Sequence, residues 1–144
     1  ECGYQGIRKG DLVIHQMDAF AGSVGISDSD GKATPVYIVC TPKRKDIYNP
    51  YFALVIREMG LNGYIQSLYR GIRERSSDFK FDVFRQQSLP LPPYEEQVAI
   101  VSFIEERTNK INALITELDA EIEYLKEYKQ KLIADCVTGQ IKVD

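Results

Sequence analysis

The sequence contains no tryptophan, a single histidine and only three cysteines, and the shortage of the last two limits the metal and catalytic sites that it can form. Cys2, Cys40 and Cys136 lie far apart, with no CxxC or Cys/His spacing, so the ligand pattern of a zinc site is missing. An odd number of unclustered thiols favours a reducing compartment, and we expect a cytoplasmic protein. No apolar run reaches membrane-spanning length, and no segment resembles a signal peptide.

Motifs that carry catalytic chemistry are also scarce. His15, in the apolar run VIHQM, fits a satisfied strand residue better than a catalytic base, and no nucleophile accompanies it. NPYF at 49–52 resembles the amine-holding box of amino-methyltransferases, but it lacks the second proline and a glycine-rich cofactor loop. EYK at 127–129 has the spacing of half a nuclease metal site, but on a helix Glu127 and Lys129 face different sides. We therefore expect a binding protein, not an enzyme, with no cofactor and no metal.

The composition is sufficient for one domain plus an extension. Of the 144 residues, 44% are hydrophobic and 10% aromatic, which is enough for a core. The net charge of −3 conceals an asymmetry: residues 1–94 carry twelve basic and ten acidic side chains, and residues 95–144 carry six and eleven. An anionic partner would therefore meet the first part. The chain begins with Glu1, without a Met, so we expect a fragment whose first domain has lost its N-terminal portion.

The first part of the chain mixes strand and helix signals. Segments rich in Val and Ile, separated by turn residues, predict strands within residues 11–17, 23–27 and 35–41. Helical spacing predicts a helix over 48–60, with Asn49 as N-cap, Pro50 in the first turn and Gly60 as C-cap. A second short helix is predicted at 62–71, and an extended segment at 79–92.

The second part predicts one long helix, from Glu95 to about Val137. Isoleucine or leucine recurs every seven residues, and two further isoleucines stand four positions on, which is typical of a coiled-coil seam. This seam consists of Ile104, Ile111, Ile115, Leu118, Ile122, Leu125 and Leu132. The helix would be roughly 60 Å long and needs another helix to cover its stripe, since the length and the 3.5-residue period disfavour folding back onto its own domain.

Three prolines, Pro90, Pro92 and Pro93, precede this helix and predict a stiff joint, because proline fixes φ and extends the residue before it. The fold class is therefore α+β. A strand-rich domain with short helices occupies residues 1–92, and a long coiled-coil helix acts as a spacer in residues 93–144.

Basic and aromatic residues alternate in QSLYRGIRERSSDFKF at 66–81, a composition that can offer guanidinium groups to phosphates and guanine edges. The candidates for DNA contacts in this segment are Arg70, Arg73, Arg75 and Lys80. A second basic loop offers Lys43, Arg44 and Lys45 to phosphates, and the amides of Gln16 and Asn62 are candidates for reading adenine. Ordinary solvated surface is the alternative for every one of them.

Four stretches carry a resemblance to a known family. LPLPPYEEQVAIVSFIEERTNKINALI at 89–115 resembles the start of the conserved helical region in specificity (S) subunits of Type I restriction–modification systems. LIADCVTGQIKV at 132–143 is similar to the segment that ends this helix. The segment KGDLVIHQMDAFAGSVGIS at 9–27 is similar to the late part of a target recognition domain. The segment 71–92 is similar to the stretch that leads into the long helix.

The resemblance implies a non-enzymatic DNA reader. Such subunits read one half of a split double-stranded DNA target with each recognition domain, and antiparallel long helices set the spacing. Methyltransferase (M) and nuclease (R) subunits would be the partners and would carry the catalysis. The second helix would come from the same parent chain or from a second copy, so a homodimer is expected for the fragment. Two alternatives stay open: a coiled-coil adaptor without a nucleic-acid partner, and a small enzyme whose site lies upstream.

Overall fold

The structure, a computed structural model, describes residues 3–68 and 79–142. It has the expected α+β architecture, with short strands, short helices and one long C-terminal helix. Within these residues the five strands are β1 (Gln5–Ile7), β2 (Leu12–His15), β3 (Val24–Ile26), β4 (Gly31–Ala33) and β5 (Tyr37–Cys40). A 3-10 helix spans Ala19–Ala21, and the α-helices are α1 (Asn49–Leu61), α2 (Tyr64–Ser67), α3 (Phe81–Phe84) and α4 (Tyr94–Val137).

The strands form two small antiparallel sheets, one ordered β3-β2-β5 and the other pairing β1 with β4. In the central strand β2, Leu12 and Ile14 are buried while the residues between and after them are half-buried, as the two-residue period of a strand requires. Leu12 lies opposite Ile26 on one side and Cys40 on the other. The predicted strands at 11–17, 23–27 and 35–41 are confirmed, whereas β1 and β4 were not predicted, and β4 lies in a segment that was predicted as a turn.

Helix α1 packs on the sheet through Phe52 and Ile56, and both its predicted caps were wrong. Tyr48 is the N-cap residue; Asn49 is the first helical residue, and its buried amide donates to the carbonyl oxygens of Gly10 (2.8 Å) and Cys40 (3.4 Å). Gly60 lies inside the helix against the 3-10 helix, and the C-cap is Asn62.

The segment 79–92 departs from the extended prediction because α3 forms one helical turn within it. Phe79, which is fully buried, leads into this turn, and its N–H donates to the Gln16 carbonyl oxygen at 2.8 Å. Residues 88–93 then run to the next helix without regular structure, in agreement with their prolines. Of the short helix predicted at 62–71, α2 confirms residues 64–67, while residues 69–71 lie outside the described part.

The chain divides into two compact units, residues 1–101 and residues 102–144. The first unit contains both sheets and a core that includes Ile14, Ile56, Ile65 and Phe79. The first turns of α4 belong to it, and Val101 is 3% exposed there.

Helix α4 is a single helix of 44 residues, as predicted. The carbonyl oxygen of Pro93 accepts the N–H groups of Glu96 and Gln97, and two acidic residues in the first turn suit the positive end of the helix dipole. In the second unit, the seam side chains are exposed, from 37% for Ile104 to 60% for Leu125. None of the helices within residues 3–68 and 79–142 combines the length and apolar composition of a transmembrane span.

Candidate nucleic-acid interface

The basic loop, which we define as Lys43, Arg44 and Lys45, follows β5 and leads towards α1. All three side chains are exposed. Both oxygens of Asp46 accept hydrogen bonds from the Arg44 guanidinium, from Nε at 2.8 Å and from one terminal nitrogen. This hydrogen bonding raises the pKa of Arg44 above its ordinary value and lowers the pKa of Asp46. Arg44 is therefore engaged within the loop, which leaves the two lysines as its freer cations.

Gln16 and Lys80 are brought together beyond the end of β2. The backbone of Gln16 accepts the N–H of Phe79, the residue directly before Lys80. The Gln16 side chain uses one of its two amide hydrogens on the Pro35 carbonyl oxygen, at 2.7 Å. Lys80 is exposed and stands at the N-terminus of α3. The second amide hydrogen and the amide oxygen of Gln16 are not used in this bond.

Asn62 has a local structural role. Its side-chain oxygen accepts the N–H of Tyr64 at 3.0 Å, and its own N–H donates to the Glu58 carbonyl oxygen at 2.9 Å. The side chain therefore turns the chain between α1 and α2, through Gly63 at φ 81°. Reading a base through the same oxygen would compete with this turn.

The candidate residues do not form one cluster. Because β2 and β5 are antiparallel, with Leu12 opposite Cys40 and His15 opposite Tyr37, the basic loop lies at one end of this strand pair and Gln16 lies at the other. Arg70, Arg73 and Arg75 lie outside the described residues.

An open groove of about 730 Å³ is lined by residues of both sheets and was not predicted. Among its lining residues are His15, Tyr37 and Lys32, from three different strands. The rings of His15 and Tyr37 meet edge to face at 5.0 Å, and Nδ1 of His15 accepts the N–H of Asp18 at 3.2 Å. These contacts agree with the interpretation of His15 as a satisfied strand residue. Among residues 3–68 and 79–142, no group of three or more His, Cys, Asp or Glu side chains is placed to hold a metal ion.

Gln97, in the first turn of α4, is 0% exposed and forms three hydrogen bonds with the main chain. Its amide nitrogen donates to the carbonyl oxygens of Asp46 (2.9 Å) and Pro92 (2.8 Å), and its amide oxygen accepts the N–H of Tyr48 (2.9 Å). Asp46, which directly follows the basic loop, and the proline segment before α4 are thus both bound to one side chain. Sequence reasoning missed this residue, because a glutamine in an acidic helix is usually solvated.

A family model, described as Type I restriction modification DNA specificity domain, matches residues 6–124. The chain belongs to this family. No curated protein matches the sequence. Specificity domains recognise the DNA target within restriction–modification complexes and are themselves non-catalytic.

In this specificity domain, the motif residues that carried the resemblance have structural functions. Gly10 adopts φ 89°, donates its N–H to the Ser27 carbonyl oxygen and accepts the Asn49 amide. The buried carboxylate of Asp11 accepts the N–H of Arg8 at 2.8 Å and the hydroxyl of Thr41 at 2.7 Å. In the segment 9–27, Gly10 and Asp11 therefore connect the turn before β2 to neighbouring segments. In PLPPYEEQ, Gln97 likewise connects distant segments through hydrogen bonds to the main chain.

Proposed function

We propose that this chain reads one half of a bipartite DNA target as part of a Type I restriction–modification specificity subunit, and that α4 sets the distance to the second reader. The domain over residues 1–92 is the reader, and residues 93–144 are the spacer. The family match supports the proposal. The observation that carries it is that α4 runs unbroken for 44 residues and that the seam residues on its part within the second unit are exposed.

The exposed stripe supports pairing with a like helix, because contiguous apolar surface of this kind is normally covered by a partner. A helix of 44 residues is about 66 Å long. The second helix belongs to the same parent chain or to a second copy of this one. Methyltransferase and nuclease subunits then join the specificity subunit, and they supply the catalysis that this chain lacks.

The spacer role is tested by shortening α4 within a complete specificity subunit assembled with its methyltransferase subunits. Deleting the seven residues 111–117 preserves the stripe and shortens the helix by about 10.5 Å, so the target halves recovered from a random DNA pool should move together by about three base pairs for each helix shortened. Deleting the five residues 111–115 instead rotates the downstream stripe by about 140° and should abolish pairing. An unchanged half-site separation after the seven-residue deletion would refute the spacer role.

For DNA contact, we propose Lys43 and Lys45 as phosphate ligands at one end of the β2–β5 pair, with Lys80 and Gln16 at the other. Arg70, Arg73 and Arg75 are proposed to add phosphate or base contacts. Arg44 is proposed to contribute less than its neighbours, since Asp46 already engages it. For Asn62, a base contact would have to replace its bond to Tyr64.

These contacts are tested by the salt dependence of DNA binding in the assembled complex. Replacing Lys43 and Lys45 together by Gln should make the negative slope of log K against log salt shallower by about 1.8, the value for two phosphates. Arg57→Gln, which removes one positive charge from helix α1 outside the proposed contacts, is the control and should leave the slope nearly unchanged. Binding by the wild-type complex without any sequence preference would favour the alternative of a structural adaptor.

A further inference from the structure

The Gln97 side chain is fully buried, and a polar side chain without solvent contact is stable only when its hydrogen-bond donors and acceptor are all paired. Both amide hydrogens and the amide oxygen have partners between 2.8 and 2.9 Å. Two of these partners are carbonyl oxygens and one is an N–H, so the site requires a group with two donors and one acceptor. Among side chains of this length, only an amide provides that combination, since a carboxylate would repel both carbonyl oxygens.

The three bonds fix the downstream end of the basic loop. Asp46 follows Lys45 directly; its carbonyl oxygen is held by Gln97, and its carboxylate holds Arg44. Tyr48, two residues on, donates its N–H to the same amide.

The upstream end of the loop is fixed independently. The Thr41 hydroxyl donates to the buried carboxylate of Asp11 at 2.7 Å. The lysines therefore stand on a short loop held at both ends, and only the downstream anchor comes from α4.

We propose that Gln97 is a positioning residue for DNA binding, which holds the basic loop against the first turn of α4 and so fixes where its lysines meet the phosphates. This inference depends on the proposed function, in which the basic loop contacts DNA. Gln97 itself touches no DNA and acts through Asp46 and Tyr48. The signal that selects glutamine at this position of PLPPYEEQ is then the hydrogen-bond pattern of the loop rather than helix formation.

The anchoring step can be measured without DNA. In the complete specificity subunit assembled with its methyltransferase subunits, amide hydrogen exchange at Tyr48 should be slow in the wild type and at least about tenfold faster in Gln97→Ala, since its acceptor is lost. Val101→Ala is the matched control: it also removes buried atoms from α4, but it leaves the three hydrogen bonds in place. Equal exchange at Tyr48 in the wild type and in Gln97→Ala would overturn the inference.

The DNA step is tested by a double-mutant cycle, with a labelled duplex that the wild-type complex selects from a random pool. Gln97→Ala should weaken binding by roughly three- to tenfold, and the Lys43→Gln, Lys45→Gln double variant should weaken it by at least as much. Adding Gln97→Ala to that double variant should cause little further loss, because the residue acts through those lysines. Fully additive losses would show a general structural role and overturn the inference.

A further variant covers the case in which Gln97→Ala does not fold. Gln97→Glu keeps the shape, and protonation restores a donor, so its DNA affinity should recover as the pH falls. A Gln97→Glu variant that binds as the wild type does at every pH would contradict the inference.

Failure of the inference can be told apart from failure of the proposed function. If the double lysine variant binds DNA normally, the proposed phosphate contacts are wrong and the inference is wrong with them. If only Gln97→Ala binds normally, the inference alone fails.

Discussion

Replacing Gly60 by Ala tests the close packing of α1 against the 3-10 helix. A Cβ atom at this position would lie 2.2 Å from the Ala19 carbonyl oxygen and 3.1 Å from the Gly22 nitrogen. That oxygen already accepts the N–H of Gly22 at 3.0 Å, so it belongs to a hydrogen-bonded turn rather than to a flexible side chain. The two backbones would have to separate by about 1 Å or more to reach van der Waals contact.

Two opposing contributions decide the sign of the effect. Alanine in place of glycine stabilises an unhindered helix by about 1 kcal/mol, because the unfolded chain loses freedom. Overpacking of this kind costs about 1–3 kcal/mol, and weakening the Ala19–Gly22 hydrogen bond adds about 1 kcal/mol. We therefore expect Gly60→Ala to lower the free energy of unfolding by about 1–3 kcal/mol.

Urea unfolding monitored by tyrosine fluorescence provides the assay, since the sequence has nine tyrosines and no tryptophan. With a denaturant dependence of about 2 kcal/mol per molar urea, a loss of 2 kcal/mol lowers the midpoint by about 1 M. Gly25→Ala serves as the control, because a Cβ there meets nothing within 4 Å and should not lower the midpoint. A Gly60→Ala protein as stable as the wild type, or more stable, would refute the packing argument.

Two further predictions concern buried polar groups near β5. Burial, followed by the negative charge of Asp11, raises the pKa of the Cys40 thiol to about 11. At pH 8 the Cys40 thiol of the folded protein should therefore be alkylated roughly 100-fold more slowly than that of the urea-unfolded chain, and mass spectrometry of the labelled peptides measures this ratio. Because the thiol ionises at lower pH in the unfolded chain, the free energy of unfolding should also fall as the pH rises towards 11. Alkylation of the folded protein at the rate of the unfolded chain would contradict the raised pKa on which both statements depend. Asn49→Ala leaves the Gly10 carbonyl oxygen without its donor and should cost about 1–3 kcal/mol in the same urea assay, whereas a loss below about 0.5 kcal/mol would show that this buried bond contributes little.

The sequence predicted the elements whose signal is periodic. Helix α4 was confirmed nearly to the residue because its heptads repeat over most of its length, and β2 was confirmed because Leu12 and Ile14 alternate with less buried neighbours. Strand β4 was missed because Gly31 and Lys32 have little strand propensity of their own. Its conformation depends on pairing with β1, which is a tertiary effect.

The residues that organise the candidate site were harder to predict because their roles depend on distant partners. Gly60 follows a helical pattern and was predicted as a cap, whereas its function is close approach to a segment about forty residues earlier. Gln97 and Tyr48 are 49 residues apart in sequence, and no local pattern distinguishes a buried amide from an exposed one. Lys43 and Lys45 were predictable as exposed cations, but the engagement of Arg44 by Asp46 was not predicted.

The antiparallel pairing of β2 with β5 has a consequence for how DNA would be touched. The five residues of extended chain from Leu12 to Gln16 span roughly 13 Å, which corresponds to about four base pairs of duplex. If both ends of this strand pair contact DNA as proposed, they would meet different phosphates and form two separate contact points rather than one patch. A substitution that removes the contact at one end would then leave the contact at the other end in place. Sequence changes at one end would alter the bases selected there without removing the phosphate contacts at the other.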